Sequence, residues 1–236
     1  MRIALVGYGK MGKAIEKIAL KRGHEVSLKI TIDNTSDIGL IHASNTDIAI
    51  EFSTPDSALE NVITCLKNNI PTISGSTGWN QNLLEVKNIC KDLNGTFLHS
   101  SNFSLGVNIF FKINEILAGI MDRHTAYNVS IDETHHIQKK DQPSGTAISL
   151  AEGILEKIKR VNKWSEDEQN ESIPITSIRE NEVPGRHKVT YENEIDRITI
   201  EHDAKSRSGF ALGAVLVAEW IQDKKGFLSI NDFLNL

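Results

Sequence analysis

The residues best able to do chemistry lie together mid-chain, in Glu133-Thr134-His135-His136-Ile137-Gln138-Lys139-Lys140-Asp141-Gln142-Pro143-Ser144-Gly145-Thr146. The His135 imidazole can exchange a proton near neutral pH. The Lys139 ammonium can hold a carboxylate or supply a proton. A helix that opens at Ser144-Gly145-Thr146 turns amide N–H groups and hydroxyls toward an anion. The constellation suits a small dianion that must be protonated. From the residues alone, a solvated polar loop with incidental histidines remains an alternative. No metal is expected, because adjacent residues on an extended segment point to opposite faces and His135 and His136 cannot easily share one ion.

A second motif opens the chain. Gly7-Tyr8-Gly9-Lys10-Met11-Gly12 fits G-x-G-x-x-G and falls between an apolar run, Ile3 to Val6, and a helical pattern through Ala14, Ile15, Ile18 and Ala19. In that setting Gly7 permits a tight turn, Gly9 lets the backbone approach a pyrophosphate, and Gly12 lets helix and strand pack closely. The pattern reads as a nicotinamide-dinucleotide site. Asp33, placed at the end of a second strand (Val26 to Ile32), would accept hydrogen bonds from the adenosine ribose. A carboxylate there repels a 2′-phosphate, and Asn34 and Thr35 offer no guanidinium, so NADH is favoured over NADPH; Lys10 or Lys29 could still reach a phosphate. Gly75-Ser76-Thr77-Gly78, after a fourth strand, would lie on the carboxyl edge of the sheet, where small residues let the nicotinamide ribose approach.

These groups need a scaffold. Strand-like runs at 3–6, 26–32, 47–52 and 71–74 alternate with helical patterns at 13–22, 56–69 and from 81, which predicts a doubly wound parallel sheet of Rossmann type. After Thr96–His99 the pattern changes: a polar loop at 100–104, an apolar helix over 107–121, a strand over 128–133 and a helix over 146–159. Residues 161–172 read as a polar surface excursion, and 187–191 and 197–202 as two strands of an antiparallel part of a second, mixed sheet. An apolar helix over 210–221 and a short closing element at 226–234 follow. The expected organisation is a dinucleotide-binding domain, 1–104 plus 208–236, and an α+β domain, 105–207, with Ser104 and Arg207 as candidate hinges. Composition agrees with a globular α/β protein: 236 residues, 39% hydrophobic and 24% charged. A net charge of -5 argues against a nucleic-acid surface. The opening apolar run is too short for a signal peptide and no membrane-length apolar run occurs, so a cytoplasmic protein is expected. Cys65 and Cys90 stand singly and are read as core packing.

With these residues on the page, the chain resembles the 4-hydroxy-tetrahydrodipicolinate (dihydrodipicolinate) reductase family. The resemblance rests on Val6 to Gly12, Glu51-Phe52-Ser53-Thr54-Pro55, Gly75 to Gly78, Ser101 to Asn108, Glu133-Thr134-His135-His136 with Lys139, and Pro143-Ser144-Gly145-Thr146-Ala147. Ser206-Arg207 with Phe210 is similar to a further family segment. The resemblance implies His135 as proton donor/acceptor, Lys139 as proton donor, His136 on one substrate carboxylate, and Gly145 and Thr146, with Ser144 beside them, on the other. It implies a cofactor lining of Gly7, Tyr8, Gly9, Lys10, Met11, Gly12, Asp33, Gly75, Ser76, Thr77, Ser100, Ser101, Asn102 and Phe103. The implied reaction is the NAD(P)H-dependent reductive dehydration of (2S,4S)-4-hydroxy-2,3,4,5-tetrahydrodipicolinate to (S)-2,3,4,5-tetrahydrodipicolinate, in the diaminopimelate route to lysine. It also implies a homotetramer built through the second domain's sheet. Compared with the family pattern, the stretch Asn34 to Asn45 is trimmed, as is the region between the Pro-Ser-Gly-Thr helix and the final strands.

Overall fold

The computed structural model describes residues 1–167, 169–206 and 208–235. Its chain divides into two compact units, Met1–Leu105 with Ser208–Leu236, and Gly106–Arg207. Arg207, a candidate hinge, lies outside the described residues.

In the first unit, β1 (Arg2–Val6), β2 (Glu25–Ile30), β3 (Ile48–Glu51), β4 (Thr72–Ser74), β5 (Thr96–His99) and the late β11 (Gly226–Leu228) form one sheet in the order β11-β5-β4-β3-β1-β2. Every pairing is parallel. The order reverses between β1 and β3, and that reversal leaves a crevice beyond their carboxyl ends. Side-chain alternation builds the two faces. Ile3 and Leu5 of β1 pack with Ile15 and Ala19 of α1 (Lys10–Lys21) and with Ala211 to Ile221 of α6 (Ser208–Ile221). Ala4 and Val6 turn the other way, toward Cys65 of α2 (Pro55–Lys67). Trp79, Val86 and Cys90 extend that second layer through α3 (Leu83–Asp92). Each fully buried Ile or Leu contributes about 1.5–3 kcal/mol relative to exposure. Both cysteines are buried and free.

One expectation is corrected here, and the closing element is resolved into its parts. The second strand stops at Ile30, so Asp33 sits in an exposed turn beyond it. Asn34 closes that turn, its Oδ1 accepting from the Thr31 amide and hydroxyl, and its Nδ2 reaching the Lys29 carbonyl. The closing element is a paired strand, β11, followed by the capped α7 (Ile230–Leu234).

The second unit is a mixed sheet of β6 (Asn128–His135), β7 (Lys163–Ser165), β8 (Ser172–Arg179), β9 (Arg186–Glu192) and β10 (Arg197–Asp203), in the order β10-β9-β6-β8-β7. β6 pairs antiparallel with β9 and parallel with β8. Its core face carries Val129, Ile131, Ile173, Ile175, Val189 and Tyr191, covered by Phe110, Ala118 and Met121 of α4 (Leu105–Met121) and by Ala147, Leu150 and Ile154 of α5 (Gly145–Leu155). On the opposite face Asp132 pairs with Lys188 at 2.6 Å, and Ile178 is exposed. The supposed excursion at 161–172 is corrected by β7, and β8, one of the inner strands, was absent from the sequence reading. β8 is flanked on both sides although Pro174 has no N–H to give to a ladder. Among the described residues no helix is long and apolar enough to cross a membrane.

Candidate functional site

In the first unit the chain leaves β1 at Gly7 with φ +94, a conformation open to glycine. A Cβ there would lie 2.1 Å from the Phe52 carbonyl oxygen, so β1 and β3 converge too tightly for any side chain. A Cβ on Gly12 would lie 2.5 Å from the Gly7 carbonyl oxygen, which seats α1 against the turn. Gly9 differs, because a Cβ there would meet nothing within 4 Å. Gly9 is also the residue before α1 and supplies no side-chain cap, and the first turn holds no acidic residue. The helix therefore presents uncapped amides and its positive dipole end to the open space at Gly9. That cradle fits a pyrophosphate. Lys10 is exposed beside it, and Tyr8 and Met11 are half-buried on the flanks.

The next loops are organised by Glu51, the buried last residue of β3. Its carboxylate accepts from the Ser53 amide at 2.8 Å, the Ser53 hydroxyl, the Ser74 hydroxyl at 2.5 Å and the Ser76 hydroxyl at 2.8 Å. Ser76 is thus buried and its side chain is spent on the scaffold, while its carbonyl accepts from the Trp79 indole. Gly75 packs flat on the Phe52 ring, and Thr77 is exposed. At 100–103, the Ser100 hydroxyl donates to the Asn102 carbonyl, Ser101 is exposed, and Phe103 is a core residue whose ring lies 5.7 Å from Phe52. Lys29 is committed as well: its ammonium sits 2.5 Å from Glu16 and 4.8 Å over the Tyr8 ring, and the Tyr8 hydroxyl donates to Glu16.

In the second unit the site is the end of the sheet. The alternation that buries Val129 and Ile131 continues along β6 to Glu133 and His135, so the core face ends in a carboxylate and an imidazole. Register places His187 of β9 opposite Glu133, and Arg179 of β8 opposite His135. Glu133 is fully buried. Its Oε2 lies 3.1 Å from His135 Nδ1 and 3.8 Å from His187 Nε2. Its Oε1 accepts from Arg179 and from the Ser144 amide, each at 3.1 Å. Burial alone would raise this carboxyl, but donors on His135, Ser144 and Arg179 outweigh it and hold the group well below the usual carboxylate range. Burial, with the neighbouring His135, lowers His187 to about 3 and keeps it neutral. Glu133, His135 and His187 offer three donor atoms within 4.8 Å of one another. Arg179 already neutralises the carboxylate, so the arrangement reads as a charge-balanced network around an imidazole.

The remaining residues of the motif divide. Ser144 caps α5: its hydroxyl accepts from the Ala147 amide at 3.2 Å and lies 3.1 Å from His187 Nε2. Gly145, exposed and with no atom where its Cβ would be, starts the helix, and Thr146 follows half-buried. Lys139 is clasped by both Asp141 oxygens at 2.8 and 2.7 Å. Arg179 staples the same loop, donating to the carbonyls of Lys139 and Asp141. His136 is half-buried just past the strand. Sequence reasoning missed Glu133, Arg179 and His187 as members of the site. The signal for Glu133 and His187 was the two-residue period that puts each in line with core residues.

Comparison with known proteins is consistent along the whole chain. Residues 1–103 match the family model described as dihydrodipicolinate reductase, N-terminus, and residues 106–234 the model described as dihydrodipicolinate reductase, C-terminus. A relative named 4-hydroxy-tetrahydrodipicolinate reductase from Christiangramia forsetii is 48% identical over 236 residues, covering 100% of this chain and 98% of that one. Another of that name from Rickettsia rickettsii is 33% identical over 225 residues, covering 93% and 92%. Among solved structures, a dipicolinate-bound dihydrodipicolinate reductase from Paenisporosarcina sp. TG-14 shares the fold with a TM-score of 0.81 at 22% identity, covering 97% of each chain.

Proposed function

Since this chain belongs to the dihydrodipicolinate reductase family in both of its matched segments, we propose that it performs the family's reductive dehydration. The reaction converts (2S,4S)-4-hydroxy-2,3,4,5-tetrahydrodipicolinate to (S)-2,3,4,5-tetrahydrodipicolinate in a cytoplasmic route to lysine. The observation that carries the proposal is the full-length match to a named reductase, 48% identical with no part of this chain left uncovered.

The bound nicotinamide supplies the hydride. The chain's residues do the rest. Gly7, Gly9 and Gly12 with the α1 N-terminus hold the pyrophosphate, and Gly75, Thr77 and Ser101 border the remainder of the cofactor. Gly145 and Thr146, at the first turn of α5, donate amides to one substrate carboxylate, and His136 holds the other. The C4 hydroxyl leaves as water, hydride adds at that carbon, and His135 delivers the proton to the carbon next to it, with Lys139 as a second proton donor once its ammonium turns from Asp141. The exposed Asp33 carboxylate and the engagement of Lys29 by Glu16 support a preference for NADH, since of the two lysines near the site only the exposed Lys10 is left to meet a 2′-phosphate. The exposed sheet face carrying Ile178 supports assembly of a homotetramer through the second unit.

The test follows oxidation of NADH and NADPH in parallel with freshly made synthase product. Turnover with wild type, its loss in His135→Asn and Lys139→Ala, and retained NADH binding in both are expected. Full activity in both variants would refute the residue assignment.

A further inference from the structure

We propose that Glu133 is the positioning residue for His135, holding its proton on Nδ1 so that Nε2 is the nitrogen that exchanges protons with substrate. The proposal rests on the reading of His135 as the proton-handling group.

Three observations support it. The Glu133 carboxylate lies 3.1 Å from His135 Nδ1, on the same strand face and two residues away, so the backbone of β6 sets the pair. The 3.1 Å approach is not aligned as a hydrogen bond in this structure, so the coupling is one of charge: an unprotonated Nδ1 would turn its lone pair on a buried negative charge, and a protonated one would not. Second, Glu133 is kept ionised by groups from two other elements, the Arg179 guanidinium of β8 and the Ser144 amide before α5. Third, the room beside the opposite nitrogen of this buried ring depends on a missing side chain. A Cβ on Gly185 would stand 3.1 Å from His135 Nε2 and 3.4 Å from Cδ2. Gly185 is fixed in place because its carbonyl accepts from the Ala204 amide at 2.9 Å. The carboxylate thus directs one ring nitrogen and the glycine clears the other, which is the division a proton-exchanging imidazole needs.

The decisive measurement uses the wild-type protein. Nitrogen-15 spectra of histidine-labelled protein near pH 8, with His135 assigned from its loss in His135→Asn, should show the Nδ1–H tautomer. An Nε2–H tautomer overturns the proposal. Glu133→Gln tests the consequence. The folded variant should lose at least about tenfold in kcat, with a dissociation constant for NADH within about twofold of wild type and an altered His135 tautomer signal. A folded Glu133→Gln enzyme with wild-type kcat overturns the proposal; where that variant does not fold, the wild-type spectrum decides alone. If His135→Asn keeps full turnover, the functional reading fails instead, and the two failures are told apart by that variant.

Discussion

The glycine turn permits a test in which cofactor binding and stability come apart. In Gly9→Ala the new methyl enters space with no protein atom within 4 Å, so packing is unchanged. The cost to the fold is that of a poorer residue before the helix, about 0.5–1 kcal/mol. For a chain of this size that is a fall in Tm of about 1–4 °C. Yet the methyl stands where a pyrophosphate would meet the amides of α1, and the dissociation constant for NADH should rise more than tenfold, or about 1.4 kcal/mol. Gly12→Ala behaves differently. Its methyl would lie 2.5 Å from the Gly7 carbonyl oxygen, against ordinary contact at 3.4 Å or more, and both partners are backbone-bound. Overpacking of this kind costs about 1–3 kcal/mol, so Tm should fall by about 2–12 °C along with NADH affinity. Fluorescence titration of NADH and differential scanning fluorimetry on the two variants give both quantities. Wild-type NADH affinity in Gly9→Ala would refute the placement of the cofactor, and a wild-type Tm in Gly12→Ala would refute the packing argument.

Acid should weaken the second unit in two stages. His187 has a folded pKa of about 3 against 6.5 ordinarily, so its stabilisation is complete above 6.5 and declines as pH falls from 6.5 toward 3; Glu133 adds its own loss below about 4.5. Urea midpoints at pH 7.5, 5.5 and 4.5 should fall in that order, and His187→Gln should flatten the first step. Asp141→Asn releases Lys139 and should lower the KM for substrate by at most about fivefold, because exposed ion pairs are worth about 0.2–1 kcal/mol; initial-rate kinetics decide, and a raised KM would count against Lys139 meeting a carboxylate. Glu16→Gln frees Lys29 and should narrow the ratio of the NADPH and NADH Michaelis constants. The Cys65 thiol, pushed up to about 12 by burial, and the equally buried Cys90 should resist a thiol reagent at pH 7.5 until the protein is denatured, which a colorimetric thiol count would show.

The first unit was readable because its signals are local. G-x-G-x-x-G between an apolar run and a helical period specifies strand, turn and helix within a dozen or so residues, and Pro55 marks the start of α2. The second unit was read only in part. β8 carries Ile173 and Ile175 at the right spacing, but Pro174, Thr176 and Ser177 interrupt the apolar pattern, and its place beside β6 comes from long-range pairing that no local pattern encodes. Losing β8 meant losing Arg179, and with it the counter-charge that makes a buried Glu133 tolerable. His135 and Lys139 were recognised as a motif. That Ser144 spends its hydroxyl on capping α5 and that Lys139 rests against Asp141 follow from three-dimensional packing and could not be read from spacing. Asp33 was misplaced for a simpler reason: Thr31 and Ile32 extend an apolar run beyond the last ladder bond at Ile30.

The sheet of the first unit closes with a strand and a helix drawn from the far end of the chain, and this orders events during synthesis. Ile3, Leu5, Ile48 and Ile50 have their partners in α6, at residues 208–221, so the early segment emerges from the ribosome with an unfinished hydrophobic face. The 102 residues of the intervening unit must be translated first. At about 5–20 residues per second that is a delay of roughly 5–20 s. The inserted unit contains all its own strands and can fold while the outer one waits. The nascent chain should therefore engage a chaperone at its N-terminal third and release it only after residue 221 has cleared the exit tunnel.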